Sequence, residues 1–304
     1  MAEVCNEGSK DKGIIMSKIY YIGIDGGGTK TKFDIFDSNK NSIASINMPT
    51  VHPAQTSFKD AVSILTVAKE KLLVNIKDGD YELKVGAGLG GYGISAEYRK
   101  KLEDEFSTVF DKFWLCSDAY AALVGALAGE NGILMIAGTG SIALAKIGEK
   151  TFRCGGFGYR YGDEGSAYSI GRELISEALK EYDGRLDKSI VSDIVSKHFE
   201  GNSFNVIATS DFGREKIAKL AAVASEYIES SDRIRSIFKS AAKEISLHIS
   251  AIRKNFKTDK KIKVSYIGGV FKSEFIREQL QKLNPDIELT APIYPPEKGA
   301  ILML

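Results

Sequence analysis

The chain has 304 residues, with 41 Lys or Arg against 40 Asp or Glu, so its net charge is +1. This length is enough for two ordinary domains, and so balanced a charge gives no indication of binding to nucleic acid or to a charged membrane surface. The cysteines, Cys5, Cys116 and Cys154, form no C-x-x-C pair, and no apolar run reaches the roughly 18 residues of a membrane span. We therefore expect a cytoplasmic protein without a membrane partner.

The first 15 residues are polar and lack the apolar core of a signal peptide. Because they have little capacity to bury surface, we predict a disordered tail over residues 1–17. Met16 directly precedes the first apolar run, which makes it an alternative start of the protein.

The first predicted element is YIGIDGGGTKTKFDIFD, at residues 21–37. An apolar run enters three glycines, and apolar and polar residues alternate from Phe33 to Asp37, which is the period of a strand. The pattern predicts a β-hairpin with a glycine turn, because P-loops and dinucleotide fingerprints both open a helix at this point. Successive N–H groups in such a turn can bind an anion, and Thr29 and Lys30 add donors. An ordinary tight hairpin is the alternative interpretation.

A third strand, NSIASINM, and a helix from Phe58 follow the hairpin, and the apolar residues of this helix recur every three or four positions to Leu72. A strand, ELKVGAGLGG, a helix from Ser95 and a strand, KFWLCSD, then complete one α/β unit over residues 18–117. The glycines of VGAGLGGYG also match a dinucleotide fingerprint, but a single match in a unit that opens with meandering strands is weak evidence.

The same order begins again at residue 118. A helix, DAYAALVGALAG, precedes GILMIAGTGSIALAKIG, which is again strand, glycine turn and alternating strand. KTFRCGG, IKVSYIGGVFKS and IELTAPI supply further strands. A long helix begins at Asp232, and His248 lies off its apolar stripe, so we expect this histidine at the surface. Two units that each open with a glycine-turn hairpin can hold one polyphosphate between them.

Five motifs occur in order along the chain: GIDGGGTKTKFDIFD, CSDAYAALVGAL, IAGTGSIALA, GGFGYRYGDEGSAYSIG and IGGVFKS. They resemble the motifs of the sugar kinase, heat-shock ATPase and actin superfamily. Within it they are similar to N-acetylglucosamine kinases of the BadF/BadG/BcrA/BcrD-type ATPase family. The resemblance implies an α/β fold of two ribonuclease H-like domains with a cleft between them. We expect these domains at residues 18–117 and 118–304, with the last helix, 297–304, returning to the first domain.

The resemblance also implies ATP and Mg²⁺ as cofactors. It places the first hairpin at the β- and γ-phosphates, with Asp25 positioning Mg²⁺ through water, since a hard cation prefers oxygen ligands. The second hairpin, 138–141, faces the first, and the double glycine of YIGGV forms part of the adenosine side. The implied nucleotide-binding residues are Gly26, Gly27, Gly28, Thr29, Lys30, Thr139, Gly140, Gly268 and Gly269.

Asp118 stands between an apolar strand and a helix, where the family has its catalytic base. A carboxylate there can accept the proton of a sugar hydroxyl that attacks the γ-phosphorus. From the residues alone, a helix N-cap is an equally compatible role.

The stretch GGFGYRYGDEGSAY is implied to bind the sugar, because glycine loops let backbone amides approach a polar ring and Asp163 can accept hydrogen bonds from two vicinal hydroxyls. A helix cap whose acidic residues complement the helix dipole is the alternative. The implied sugar-binding residues are His52, Asp118, Ser141, Gly156, Phe157, Gly158, Asp163 and Ala167.

One position departs from the family pattern. Members that bind N-acetylglucosamine tend to have Asn-His after the third strand, whereas this chain has Val51 before His52. The missing amide predicts a more open rim above the ring and weaker discrimination between sugars, so that N-acetylmuramic acid or glucosamine is accepted.

We therefore predict an ATP-dependent kinase for the 6-hydroxyl of a small-molecule amino sugar, N-acetylglucosamine or N-acetylmuramic acid, in amino-sugar or cell-wall salvage. A monomer and a homodimer both remain open. The alternatives are a glucosamine kinase and an ATPase that activates a radical dehydratase, which would need closely placed cysteines for an iron–sulfur cluster. A sugar-sensing repressor would need an N-terminal helix-turn-helix, which the polar residues before the first strand cannot supply.

Overall fold

The computed structural model describes residues 18–77 and 79–304, and these form two five-stranded sheets with helices packed against them. The predicted α/β class is confirmed. The predicted tail, Met16 and Cys5 lie outside the described residues. In the part of the chain that the structure describes, no helix is both long and apolar enough to cross a membrane.

The first sheet is built from residues before position 118. Its elements are β1 (Lys18–Gly26), β2 (Lys30–Phe36), β3 (Ser42–Pro49), α1 (Phe58–Leu73), β4 (Tyr81–Leu89), α2 (Ala96–Val109) and β5 (Phe113–Ser117). The strand order is β3-β2-β1-β4-β5, antiparallel among the first three strands and parallel from β1 to β5. Ser57 and Ser95 begin the two helices, since their hydroxyls accept hydrogen bonds from the N–H groups of Asp60 and Tyr98.

The second sheet repeats the first. Its strands are β6 (Gly132–Ala137), β7 (Ser141–Ile147), β8 (Lys150–Gly155), β9 (Ile262–Ile267) and β10 (Ile287–Thr290). The order β8-β7-β6-β9-β10 has the same antiparallel meander and the same parallel continuation. The internal duplication predicted from the two glycine-turn hairpins is therefore present in the topology.

Helices separate and cover the strands of the second half. They are α3 (Asp118–Ala126), α4 (Ala167–Tyr182), α5 (Ile190–His198), α6 (Phe204–Thr209), α7 (Arg214–Ser225), α8 (Asp232–Arg253), a 3₁₀ helix (Gly269–Lys272), α9 (Glu274–Leu283) and α10 (Pro296–Ile301). The start of α8 at Asp232 is as predicted, but the prediction for His248 is wrong because this side chain is only 7% exposed. α8 packs against α4, α9 and strands of the second sheet, so its buried arc is wider than its apolar stripe.

Helix α10 packs directly against the first sheet through glycines. A Cβ at Gly23 of β1 would overlap the backbone of Glu297, and one at Gly86 of β4 would overlap the backbone of Ala300. Lys32 of β2 forms an ion pair with the buried carboxylate of Glu297. α3 also contacts strands of both sheets, so the domain boundary at residue 117 stays a prediction.

Candidate active site

The first glycine turn joins β1 to β2 at residues 27–29. The N–H of Gly27 donates to the carbonyl of Lys30 (3.1 Å), which closes the hairpin, and the N–H of Gly90 donates to the carbonyl of Gly26 (2.7 Å), which ties the hairpin to the end of β4. Gly28, Thr29 and Lys30 are exposed. The turn therefore presents its tip to solvent, as a phosphate-binding hairpin requires.

The second glycine turn joins β6 to β7 and is held by several neighbours. The N–H of Gly138 donates to the carbonyl of Gly140 (2.9 Å), and the N–H of Ala167 at the start of α4 donates to the carbonyl of Gly138 (2.8 Å). Gly268 has a φ of +120°, and a Cβ there would overlap the backbone of Ala137. Only glycine fits this point, where the strand before the 3₁₀ helix meets the hairpin.

Two cavities meet at the second turn, because Gly138 and Thr139 line both of them. The first, of about 470 Å³, also contains Asp25 and Asp118, so it is lined from both halves of the chain. The second, of about 590 Å³, lies between α4, α7 and the 3₁₀ helix, and Gly269 is part of its wall. Of the predicted nucleotide residues, Thr139, Gly140 and Gly269 line these cavities, whereas residues 26–30 and Gly268 line neither of them.

Asp25 occupies an electrostatically unfavourable place in the first cavity. Burial raises its pKa to about 6, and the nearby carboxylates of Glu297 and Asp118 add to this, while Lys32 and Lys30 oppose it. A divalent cation would relieve this repulsion, so the residues fit the implied Mg²⁺. In the described ranges no three His, Cys, Asp or Glu residues form a metal cage.

Asp118 is the first residue of α3 but does not cap it. The hydroxyl of Ser117 caps the helix by accepting from the N–H of Tyr120 (3.2 Å), so the N-cap interpretation of Asp118 is wrong. Oδ1 of Asp118 accepts from the N–H of Ala119 (2.8 Å). Among the described residues, its Oδ2 receives no hydrogen bond, so this oxygen keeps its full acceptor capacity.

Asp163 is buried in the wall of the first cavity with a left-handed backbone, at a φ of +60°. Its Oδ1 accepts from the N–H of Ser141 (3.2 Å), and its Oδ2 forms an ion pair with Arg214 at the start of α7. The sequence analysis did not identify Arg214. It lies far along the chain from the loop that it contacts, and nothing in its local sequence marks it.

The other predicted sugar residues fall in different places. Gly156 and Ser141 line the first cavity, whereas Ala167 lines the second, because it begins α4 beside Gly138. The ring of Phe157 is 78% exposed, and neither it nor Gly158 lines these cavities.

His52 lies beside Asp118 at Gly90. A Cβ on Gly90 would be 3.2 Å from Cδ2 of His52 and 3.5 Å from Oδ2 of Asp118. Nδ1 of His52 accepts from the N–H of Ala54 (3.2 Å), so in the neutral ring Nε2 carries the proton. The imidazole is therefore oriented by its own loop.

The prediction that Val51 opens the rim is wrong. Its side chain is 2% exposed and belongs to the core of the first sheet, and its N–H donates to the hydroxyl of Thr31 (3.1 Å). The loop after β3 turns this residue inward, so its identity does not set the shape of the cavity mouth.

The second cavity reveals further residues that the sequence analysis missed. One face of α7 contributes the charged side chains Glu215 and Lys219, and the 3₁₀ helix contributes Lys272. Their only sequence signal is the helical spacing of Glu215 and Lys219, four positions apart, which is common in any exposed helix.

The fold defined by these sheets and cavities is that of the actin-like kinases and ATPases. A solved structure from Chromobacterium violaceum, described as a candidate N-acetylglucosamine kinase, matches with a TM-score of 0.74 at 23% identity, covering 94% of this chain and 99% of that one. The model of the BadF/BadG/BcrA/BcrD ATPase family matches residues 22–303, and the chain belongs to this family. The family and the two-unit fold predicted from the motifs are confirmed.

Two curated relatives cover most of the chain. The N-acetylmuramic acid/N-acetylglucosamine kinase of Clostridium acetobutylicum is 29% identical over 86% of this chain and 89% of its own length. The N-acetyl-D-glucosamine kinase of Dictyostelium discoideum is 27% identical over 95% of this chain and 98% of its own length. Both relatives are named for the same class of reaction.

Proposed function

We propose that this protein is an ATP-dependent kinase that phosphorylates the 6-hydroxyl of an amino sugar. The observation that carries the proposal is Asp118 itself: it lines a cavity together with a second acidic residue, Asp25, and a glycine turn, and in the described part of the chain its Oδ2 accepts no hydrogen bond. The names of the Clostridium and Dictyostelium relatives support the substrate class.

The two cavities would divide the substrates. The first has room for a hexose and carries Asp163, whose carboxylate can accept hydrogen bonds from sugar hydroxyls. The second has room for a nucleoside, and its walls from α7 and the 3₁₀ helix place Glu215, Lys219 and Lys272 around it. The shared turn, Gly138 and Thr139, would then lie at the phosphates between them.

Asp118 would act as the general base. Its Oδ2 accepts the proton of the 6-hydroxyl as the oxygen attacks the γ-phosphorus. The bond from the γ-phosphorus to the β,γ-bridging oxygen breaks, so that ADP leaves, the phosphoryl group is on the sugar oxygen and the proton is on the carboxylate. Asp25 would hold Mg²⁺ through water; when bound, this ion neutralises charge on the phosphates. Lys30 and the first glycine turn would bind the same phosphates from the other side, because they are exposed at the tip of the hairpin.

We propose N-acetylglucosamine and N-acetylmuramic acid as substrates, in salvage of amino sugars. With the argument from Val51 removed, acceptance of N-acetylmuramic acid is supported by the name of the Clostridium relative alone. The dehydratase-activator alternative is disfavoured because Cys116 is buried between α3 and α10, where burial raises the pKa of its thiol, so it is not available as a cluster ligand.

The test is release of ADP with glucose, glucosamine, N-acetylglucosamine, N-acetylmuramic acid and 6-deoxy-N-acetylglucosamine in one assay. We expect both acetylated sugars to react and the 6-deoxy sugar to be inert. If glucose or glucosamine exceeds both acetylated sugars by more than about tenfold in kcat/KM, the proposed substrate is wrong. Turnover of the 6-deoxy sugar would refute the 6-hydroxyl as acceptor.

A further inference from the structure

Arg214 lies beside Gly140 of the second glycine turn, and this turn lines both cavities. Its guanidinium forms an ion pair with Oδ2 of Asp163, and its carbon Cζ lies 5.4 Å from the centre of the Tyr159 ring. Its Nε is buried without a hydrogen-bond partner in the described part of the chain. Arg214 therefore contacts the loop of residues 155–166 in two ways: Nη2 pairs with Asp163, and the guanidinium lies over the ring of Tyr159.

Gly140 makes this contact close. A Cβ at Gly140 would lie 2.6 Å from Nη2 of Arg214 and 2.8 Å from Oδ2 of Asp163, so the ion pair packs directly on the second glycine turn. Asp163 also receives the N–H of Ser141, the first residue after that turn. The carboxylate is thus fixed from two sides, and only one of these contacts is a side chain.

The same helix that begins with Arg214 forms a wall of the other cavity. Glu215, Ala218 and Lys219 of α7 line the second cavity within about one and a half turns of Arg214. A helix moves nearly as a rigid rod over this distance, so a small shift of α7 around a bound nucleotide would also shift the guanidinium. Through the ion pair, that shift reaches Asp163.

We propose that Arg214 is a positioning residue that holds Asp163 in place for the sugar hydroxyls and couples sugar affinity to occupancy of the nucleotide cavity. The inference rests on the proposed function, with sugar in the first cavity and nucleotide in the second. It adds a residue outside the sequence motifs and assigns it a role in substrate binding rather than in phosphoryl transfer.

The test compares Arg214→Gln with Lys216→Gln, which removes a cation two positions along the same helix. Like Arg214, Lys216 lines neither of the two cavities, but its ion-pair partner is the exposed Glu200 instead of Asp163. Binding of N-acetylglucosamine is measured by calorimetry with and without a non-hydrolysable ATP analogue, and sugar KM, ATP KM and kcat are measured by ADP release.

For Arg214→Gln we expect a rise of about tenfold or more in sugar KM, with kcat changing by less than about threefold. The analogue should tighten sugar binding in the wild-type protein and have little effect in the variant. Arg214→Lys, which keeps the charge but not the planar fork, should be intermediate. Lys216→Gln should match the wild-type protein.

A double-variant cycle separates positioning from general stability. On an Asp163→Asn background, Arg214→Gln should change sugar KM by less than about twofold, because the group that Arg214 positions is gone. Sugar KM within about twofold of wild type in Arg214→Gln, or an undiminished effect of the analogue, overturns the inference. If Arg214→Gln does not fold, the same two criteria apply to Arg214→Lys, for which we expect at least about a threefold rise.

The result also distinguishes this inference from the proposed function. A wild-type protein that binds none of the amino sugars refutes the proposed function and the role of Arg214 together. A wild-type protein that phosphorylates them while Arg214→Gln behaves in the same way refutes only the role of Arg214.

Discussion

The two glycine-turn hairpins share a sequence pattern but differ in how they are held. The first turn, residues 27–29, has an exposed tip and is tied to the sheet at its base by Gly90. The second turn, residues 138–140, is anchored by the start of α4 and packed against the ion pair of Asp163 and Arg214. The same local pattern therefore supplies one turn that is open to solvent and one that is packed against the loop of residues 155–166.

Asp118 lines the cavity that the second turn borders, and its replacement should have the largest effect. Asp118→Asn keeps the size of the side chain but removes the proton acceptor, so single-turnover transfer should fall by about 10²- to 10⁴-fold while nucleotide still binds. Ser117→Ala is the matched control, because it removes the cap of α3 and should lower stability by about 1 kcal/mol without a comparable loss of rate. A rate within about tenfold of wild type in Asp118→Asn would show that Asp118 is not the base.

Adding one methyl group to each turn tests the comparison directly. Gly140→Ala pushes apart the side chains of Arg214 and Asp163, so we expect sugar KM to rise by about tenfold. At Gly28 the nearest atom to a Cβ is Nε2 of Gln55 at 3.6 Å, an ordinary contact, so Gly28→Ala should leave sugar KM within about twofold of wild type. Equal effects on sugar KM would mean that the two turns are supported alike.

The acidic residue at the end of β1 predicts a pH effect on stability. Because the folded pKa of Asp25 is raised from 3.8 to about 6, this group favours the folded state most below pH 4, and its contribution is lost as pH rises from 4 through 6. Asp25→Asn should therefore raise Tm at pH 7 and raise it much less at pH 4. Thermal denaturation of both proteins over this range measures the difference, and a gain that is constant with pH would exclude the assigned cause.

Glu105 provides a buried acid away from the turns. Burial raises the pKa of this carboxyl in α2 to about 7, and Lys101, 3.9 Å away, opposes the shift. As for Asp25, the raised pKa means that Glu105 contributes less to stability as the pH rises through about 7. Glu105→Gln should therefore raise Tm more at pH 8 than at pH 5. Mg²⁺ with nucleotide should reduce the difference between wild type and Asp25→Asn but not that between wild type and Glu105→Gln. A response of Glu105→Gln to the ligand would place this residue in the site.

The sequence predicted well what depends on neighbouring residues. The period-2 runs around glycines gave both hairpins, and the spacing of apolar residues gave α1 and the start of α8 at Asp232. It failed where orientation depends on the rest of the fold. The loop after β3 turns Val51 into the core, and neighbours on several sides bury His248.

Arg214 shows the same limit within the site. Its partner Asp163 could be singled out from the loop GGFGYRYGDEGSAY, but the contact depends on how α7 returns to the second turn. No local pattern encodes that return. The residues that line the second cavity from α7 were missed for the same reason.

The packing of α10 also bears on how the chain folds during synthesis. Gly23 and Gly86 lie in the first sheet, yet the backbone that covers them belongs to residues 297–301, and the partner of Lys32 is Glu297. Domains generally fold in the order in which they emerge from the ribosome. Here the earliest sheet leaves the exit tunnel with one surface uncovered, and that surface is completed only when almost the whole polypeptide has been translated. A premature stop codon near residue 295 would therefore damage the part of the molecule that was made first.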